Sequence, residues 1–245
     1  MTPTTGTILL AHGSRSPGQL AVISDIAAAA QAQDHTPWRP AFLDHHGPTL
    51  AEAAADLVDA GCRSIIVVPA LLSHAFHAGV DVPAAIDTLT STVAVTLADP
   101  IGPDMQLFEA VTDHLDAARA QWPHDSREVT IVVCAAGSSD EQARTAFSAA
   151  VGEWAATRTD RTTDHRAMAA FIAGGAPHVT DAVSSEVQSG RAVVVVPFTL
   201  ARGALTELAR SQALEAGAID FLPPLGAADS VISIVLARRD ACVTV

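Results

Sequence analysis

The sequence of this chain contains the same series of short motifs twice. Four segments of the first half recur in the second half in the same order, and the offset between partners stays between 123 and 129 residues. The matched pairs are Thr7–Ser14 with Thr130–Ser139, Pro40–Pro48 with Ala169–Pro177, Ile65–Leu72 with Val193–Leu200, and Pro100–Gly102 with Pro224–Gly226. A repeat of this length is a whole domain, since the units of solenoid proteins are much shorter. We therefore predict two tandem domains, 1–124 and 125–245, joined near residues 122–128.

Within each half, short apolar segments alternate with alanine-rich amphipathic ones. In the first half, the segments that predict strands are Thr7–Ala11, Arg39–Leu43, Ser64–Val68 and Val93–Leu97. The predicted helices run from Pro17 to Gln33, from Leu50 to Gly61 and from Asp104 to Gln121, with a further helix that includes Pro83. Apolar strands between helices are typical of a parallel sheet covered on both faces. The sequence thus predicts an α/β fold of two tandem doubly wound parallel-sheet domains, similar to flavodoxin or Rossmann domains.

The composition excludes several kinds of chemistry. All 14 residues counted as lysine or arginine are arginine, and the chain also has no tyrosine. An enzyme that forms a Schiff base needs a lysine amine, and a P-loop needs its lysine on the phosphates. Proton transfer and metal binding are therefore left to the carboxylates, three cysteines and ten histidines. Eight of those histidines lie within residues 1–124, so we expect any catalytic or ligand chemistry in the first half.

Net charge, hydropathy and the N-terminal sequence limit which partners and which cellular location we expect. A formal net charge of −13 argues against a nucleic acid or an anionic membrane as partner. The longest apolar runs, such as Ile65–Leu72, are too short to cross a bilayer. The first residues lack the basic region of a signal peptide, and the three cysteines are too far apart for a CxxC site. We expect a cytoplasmic protein.

Comparison of the two halves singles out three polar side chains at strand ends. Each follows a different strand of the first half and is replaced by an apolar residue in the second, although the surrounding glycines and prolines are retained. The replaced pairs are His12 with Ala136, Asp44 with Ala173, and His77 with Leu205. Residues just beyond the carboxyl ends of parallel strands converge on one crevice, so these three can meet in space. Two imidazoles and a carboxylate suit a first-row divalent cation, and fewer than four protein ligands leave positions open for substrate.

Other roles for these residues stay open on the sequence alone. His12 could instead fill the turn before the helix, and Asp44 could cap the segment that follows it. Additional candidates near the same strand ends are His45, His46, His74 and Glu52, the last as a substitute for Asp44.

A turn with the sequence Gly13-Ser14-Arg15 precedes the first predicted helix. Free backbone N–H groups at a helix N-terminus favour an anion, and an arginine there could hold a carboxylate through two hydrogen bonds. Gly-Ser before a helix is also an ordinary cap, and the matching turn of the second half has no arginine. Arg202 is a candidate for binding the same anion from the second half, and a surface position on the next helix is its alternative role.

Two motifs resemble those of the sirohydrochlorin chelatases of the CbiX/SirB group, which are class II tetrapyrrole chelatases. The first is Leu9–Arg15, an AHGSR-type turn after the first strand. The second is the family signature P-x-L-L-S-x-G-x-H-x-x-x-D-I/V-P, met here at Pro69, Leu71, Leu72, Ser73, His77, Asp81, Val82 and Pro83. Ala75 stands where glycine is usual, and Asp44 stands where the family has glutamate. The resemblance covers nearly the whole chain, because long members are tandem duplications with a degenerate second half.

The resemblance implies that the chain inserts Fe²⁺ or Co²⁺ into sirohydrochlorin, a tetrapyrrole with eight carboxylates, in a cleft between the two halves. It implies that His12, His77 and Asp44 bind the metal and that the two histidines are also catalytic, with no organic cofactor. The residues expected to bind the carboxylates of the substrate are Ser14, Arg15, Ser73, His74 and Arg202.

Several alternatives accompany this interpretation. Fe²⁺ insertion for sirohaem synthesis is favoured, and Co²⁺ insertion for cobalamin synthesis is the nearest alternative, since the ligand set does not separate the two metals. A protein that binds metal or tetrapyrrole without inserting the metal is a third candidate. A histidine phosphatase is disfavoured because its motif needs an arginine directly before the histidine, where this chain has Ala11. We expect a monomer or a homodimer.

Overall fold

The computed structural model describes residues 4–14, 16–45, 47–72, 85–86, 93–122, 128–157 and 166–243. These residues form two four-stranded parallel sheets, with strand orders β2-β1-β3-β4 and β6-β5-β7-β8. The strands are β1 (Thr4–Ala11), β2 (Trp38–Phe42), β3 (Cys62–Pro69), β4 (Ala94–Leu97), β5 (Val129–Ala135), β6 (Arg166–Phe171), β7 (Ala192–Pro197) and β8 (Asp220–Phe221). The predicted pair of α/β domains with parallel sheets is confirmed.

In both halves a helix follows each strand, except β3, after which the described residues break off at residue 72. The helices are α1 (Pro17–Asp34), α2 (Leu50–Asp59), α3 (Leu107–Ala118), α4 (Glu141–Thr157), α5 (Val179–Gln188), α6 (Ala204–Glu215) and α7 (Asp229–Val243), with a short 3₁₀ turn at Arg119–Gln121. Pro17 occupies the first turn of α1, where its missing N–H has no helical partner to lose. The expected helix around Pro83 lies outside the described residues.

The central strands are buried on both faces, which explains their unbroken apolar sequences. Ile8, Leu9 and Leu10 of β1 are each at most 1% exposed, and all six residues of β7 are buried. Continuous burial of this kind requires cover on both faces of the sheet, as parallel sheets have. In each half the first strand lies at the centre, between the second and the third strand, so the ends of three strands are neighbours.

The chain forms two compact units that differ from the sequence halves by one helix each. Unit 1 comprises Met1–Leu107 and Ala227–Val245, and unit 2 comprises Phe108–Gly226. Helix α7, from the second half, is held in unit 1 by Arg238, which donates to the carbonyl oxygen of Pro100 and to Asp104 at 2.9 Å each. Each sequence half therefore contributes its last helix to the unit built around the sheet of the other half.

Helix α3 is held in unit 2 by aromatic packing and hydrogen bonds. The rings of Phe108 and Phe198 lie 4.8 Å apart, and the indole N–H of Trp154 donates to the hydroxyl of Thr112 at 3.1 Å. The imidazole Nε2 of His114 lies 3.0 Å from the carbonyl oxygen of Pro224.

A buried polar group distinguishes the second sheet from the first. The hydroxyl of Thr130 on β5 donates to Glu186 at 2.7 Å, and Arg191 Nε donates to the same carboxylate oxygen at 2.6 Å. These bonds lower the pKa of Glu186, the bond from Arg191 contributing most. At the corresponding place in the first half, a Cβ on Gly6 would lie 2.9 Å from the Leu57 side chain and 3.0 Å from the sulfur of Cys62, so the packing there is apolar. A polar network thus takes the place of apolar packing in the second unit.

The length and hydropathy of the helices bear on membrane insertion. Within the ranges given above, no helix combines the length and the apolar character that crossing a membrane requires.

Candidate functional site

The backbone brings His12 and Asp44 together at the carboxyl ends of the first two strands. Ala11 and Phe42 are partners in the parallel pairing of β1 and β2. The pairing continues past the strands, because Leu43 N–H donates to the carbonyl oxygen of Ala11 at 3.0 Å and Asp44 N–H to that of His12 at 2.9 Å. His12 is half-buried there, and Asp44 is exposed. The predicted convergence of strand ends therefore places these two candidates on hydrogen-bonded residues.

Gly13 permits this close approach of the two loops. Its φ of +99° lies in the left-handed region, which residues with a Cβ avoid. A Cβ on Gly13 would lie 1.8 Å from the carbonyl oxygen of Asp44, which is far inside any allowed contact. The glycine of the AHGS motif is thus required where the loop after β1 passes the loop after β2.

The second half has the same backbone arrangement without the polar side chains. Ala173 N–H donates to the carbonyl oxygen of Ala136 at 2.9 Å, as Asp44 does to His12. Gly137 has a φ of +97°, and a Cβ there would lie 1.4 Å from the carbonyl oxygen of Ala173. The two halves therefore match at this point in backbone geometry and differ in chemistry.

The segment after β3 carries the third candidate. Ala70 N–H donates to the carbonyl oxygen of Leu10 at 2.8 Å, so the chain leaves β3 beside the end of β1. Gly102 N–H then donates to the carbonyl oxygen of Leu71 at 2.9 Å. His77, together with Ser73 and His74, lies outside the described residues, which resume at residue 85.

The turn at Ser14 has a local hydrogen bond in both halves. Ser14 Oγ accepts from Ser16 N–H at 3.2 Å, and Ser138 Oγ accepts from Asp140 N–H at 3.1 Å. This bond stabilises the turn before α1 and α4 alike, whereas the N-cap of α1 is Ser16, which makes no side-chain capping bond. Arg15 lies outside the described residues. Arg202 is exposed on unit 2, just before α6.

The carboxylate of Asp44 contacts the residue that follows it. Oδ1 of Asp44 accepts from the backbone N–H of His45 at 2.7 Å, and Oδ2 lies 3.3 Å from Nε2 of the His45 imidazole. Both side chains remain open to solvent, with 58% of Asp44 and 38% of His45 exposed. The sequence suggested His45 only as a neighbouring candidate, and nothing in its spacing indicated contact with Asp44.

Glu52, considered as a substitute for Asp44, has a different task. Its Oε2 accepts from the backbone N–H of Thr49 at 2.8 Å and from the Thr49 hydroxyl at 2.9 Å. Thr49 Oγ1 accepts in turn from Glu52 N–H, which completes a capping box at the start of α2. The bond from the Thr49 backbone, and next that from its hydroxyl, lower the pKa of Glu52. The capping box accounts for an acidic residue at this position.

The described candidates alone do not form a complete metal site. Within the described ranges, no group of three or more histidine, cysteine, aspartate or glutamate side chains is close enough to hold a metal ion. His12 and Asp44 supply one imidazole and one carboxylate at adjoining strand ends, and the third residue of the predicted set is His77. The completed set would have the mixed nitrogen and oxygen donors that Fe²⁺ and Co²⁺ accept.

Comparison with known proteins gives one family and a consistent fold. The family model CbiX matches residues 6–118 and again residues 130–241. A protein of Sulfolobus acidocaldarius named sirohydrochlorin cobaltochelatase is 27% identical over 114 residues, which cover 46% of this chain and 91% of that protein.

Solved structures that resemble nearly the whole chain include two of SirB. SirB from Bacillus subtilis with Fe³⁺ has a TM-score of 0.78 at 22% identity, covering 97% of this chain and 94% of SirB. The sirohydrochlorin chelatase SirB from Bacillus subtilis subspecies spizizenii in complex with cobalt has a TM-score of 0.74 at 18% identity, covering 96% and 93%. At these identities the two structures establish the fold.

Proposed function

Since the chain belongs to the CbiX family, we propose that it inserts a divalent metal ion into sirohydrochlorin. The observation that carries this proposal is the comparison of the two halves at the strand ends. In each half, a backbone hydrogen bond joins the loop after the first strand to the loop after the second strand. The bonded residues are His12 and Asp44 in the first half and alanines in the second half. Both halves keep the backbone arrangement, but only the first half keeps side chains that can bind a metal. This difference supports a single reactive site in the first half.

In the proposed reaction, His12, His77 and Asp44 bind the metal ion as a substrate. Three protein ligands leave coordination positions open, which the pyrrole nitrogens of the macrocycle can enter as the protein ligands leave. A closed four-ligand site would retain the metal. Two pyrrole N–H groups lose their protons as the dication enters the ring, so the two released protons balance its charge.

The proton acceptors follow from the same residues. Neutral imidazole accepts protons near pH 7, and an exposed carboxylate such as that of Asp44 can receive a proton and pass it to water. His12 is half-buried, and Asp44, whose backbone N–H bonds the carbonyl oxygen of His12, is exposed, so we assign the passage of released protons to water to the Asp44 carboxylate.

The substrate carboxylates need a local positive surface, because a chain of charge −13 repels a polyanion at long range. Screening over about 8 Å at physiological ionic strength leaves local charge to decide binding. We assign this task to Arg15, Arg202 and His74, with the hydroxyls of Ser14 and Ser73 as donors. Arginine is the only fixed cationic side chain in the chain, so replacement of Arg15 or Arg202 weakens substrate binding more than metal binding.

The metal of the reaction is proposed to be Fe²⁺ or Co²⁺. The ligand set accepts both, and selection between such ions depends on affinity order and availability. The relative from Sulfolobus carries cobalt in its name, and the SirB structures contain Fe³⁺ and cobalt. Co²⁺ insertion is therefore tested beside Fe²⁺ insertion.

Anaerobic optical titration of sirohydrochlorin with Fe²⁺, Co²⁺ and Ni²⁺, with and without the protein, tests the proposal. The macrocycle spectrum changes when metal enters the ring, and we expect the protein to accelerate this change at least for Fe²⁺ or Co²⁺. If the protein binds sirohydrochlorin and metal but the rate stays at that of the protein-free solution, the protein is a carrier and the proposal is wrong.

A further inference from the structure

His45 has a left-handed backbone conformation, and the residue that matches it in the second half is a glycine. The φ of His45 is +67°, in the left-handed region, and the matched residue Gly174 has a φ of +54°. Glycine adopts this region without steric cost, and a residue with a Cβ does not. The first half therefore keeps a side chain at a position where the same turn forms more easily without one.

Only one other described non-glycine residue has a positive φ, and helix termination explains it. His35 follows the last residue of α1 with a φ of +59°, and its N–H donates to the carbonyl oxygen of Gln31 at 3.0 Å. A left-handed residue at this place is a common way to end a helix. His45 ends no helix. Backbone strain at a site residue motivates a search for what its side chain does.

The side chain of His45 contacts the carboxylate of Asp44. The imidazole Nε2 lies 3.3 Å from Oδ2, while the backbone N–H of the same residue donates to Oδ1 at 2.7 Å. One residue therefore holds both oxygens of a side chain that is otherwise 58% exposed. An exposed aspartate without such contacts would change its rotamer freely.

The second half lacks the carboxylate and the ring together. Ala173 and Gly174 stand where the first half has Asp44 and His45, although Ala173 forms the same backbone bond to the loop after β5. The left-handed histidine is thus present in the half of the chain that has the Asp44 carboxylate.

We propose that His45 is a positioning residue, which holds the Asp44 carboxylate in one orientation for its part in metal transfer. This inference rests on the proposed function and names a residue for it that neither the motifs nor the comparisons assign. His45 acts through Asp44 and needs no direct contact with metal or tetrapyrrole.

The test uses His45→Gly, which gives the first half the glycine of the second. Because glycine suits the left-handed turn, this variant keeps or raises the melting temperature of the protein. Its turnover number for Co²⁺ insertion falls about ten-fold, in the range found when residues that orient metal ligands are replaced. A drop in activity without a drop in stability is not the result of a merely structural role. His35→Gly is the matched control, and it leaves the turnover number unchanged.

Two further variants show whether His45 acts through Asp44. His45→Gln recovers part of the lost turnover, because its amide N–H reaches about as far as Nε2. In the Asp44→Ala background, His45→Gly causes no additional loss, since coupled residues are not additive. An unchanged turnover number in His45→Gly, or a full additional loss in the Asp44→Ala background, overturns the proposal.

Titration of each variant with Co²⁺ alone separates this proposal from the proposed function. If the wild-type protein binds Co²⁺ but does not metallate sirohydrochlorin, the proposed function fails and the positioning role is still measured as Co²⁺ affinity. A weaker affinity in His45→Gly that depends on Asp44 supports the positioning role. An affinity equal to that of the wild type overturns it.

Discussion

Replacing Gly13 by alanine tests the link between loop geometry and chemistry. The new Cβ would lie 1.8 Å from the carbonyl oxygen of Asp44, and ordinary contact begins near 3.4 Å. The loops after β1 and β2 must then separate by about 1.6 Å, which lengthens the 2.9 Å bond from Asp44 N–H to His12 beyond hydrogen-bonding distance. We expect the variant to shift the two candidate ligands relative to each other.

The cost in stability has two parts. The left-handed φ of +99° costs alanine about 1–2 kcal/mol, and loss of one backbone hydrogen bond costs about 1 kcal/mol. We therefore expect Gly13→Ala to lower the free energy of unfolding by about 2–3 kcal/mol.

Gly137→Ala is the matched control in the second half. Its φ is +97° and its Cβ would lie 1.4 Å from the carbonyl oxygen of Ala173, so the loss of stability is at least as large. The residues it displaces are alanines with no ligand chemistry. Thermal unfolding measures the stability of both variants, and metal insertion is assayed at a temperature at which both are folded.

The two glycine variants are expected to differ in their rate of metal insertion. A displacement on the order of 1 Å in a reactive site can cost about 100-fold in rate, so Gly13→Ala loses about that factor and Gly137→Ala stays near the wild-type rate. Equal loss in both variants would refute the placement of the chemistry in the first half. Full activity in Gly13→Ala would refute the dependence on the His12–Asp44 register.

Two further predictions concern stability. Thr49→Ala removes the capping box of α2 and lowers the free energy of unfolding by about 1 kcal/mol, whereas His178→Ala at the matched N-cap, where no side-chain bond exists, has little effect in the same urea titration. Glu186 has a pKa below its ordinary value of 4.5, chiefly because Arg191 donates a hydrogen bond to it. The ionised carboxylate therefore contributes fully to the stability of the fold above pH 4.5, and this contribution disappears as the pH falls through the lowered pKa. The melting temperature of Glu186→Gln should therefore lie below that of the wild type at neutral pH and approach it as the pH falls below 4.5; a difference that stays constant as the pH is lowered would contradict the prediction.

The strands and helices could be predicted from the sequence because their signals are local. The segment Arg39–Leu43 predicted a strand that the structure has at Trp38–Phe42, and Pro17 marked the first residue of α1. The close approach of His12 and Asp44 also followed from the sequence, since parallel strands end at the same edge of a sheet.

Features that depend on distant contacts could not be predicted in this way. The exchange of the last helices between units depends on pairs such as Arg238 with Asp104, which are separated by 134 residues. The left-handed conformation of His45 belongs to a turn that the second half forms with Gly174, and no local signal predicts a histidine there. Glu52 was considered as an acidic neighbour, and the capping box that explains it became evident from its contacts with Thr49.

The rate of metal insertion in two matched variants shows directly whether the first half carries the reactive site. Co²⁺ and sirohydrochlorin are mixed anaerobically with wild type, His12→Ala or Ala136→Gly, and the spectral change is followed. We expect a loss of about 100-fold or more in His12→Ala, because the imidazole is both ligand and base, and a wild-type rate in Ala136→Gly. A wild-type rate in His12→Ala, or an equal loss in both variants, would contradict a reactive site in the first half.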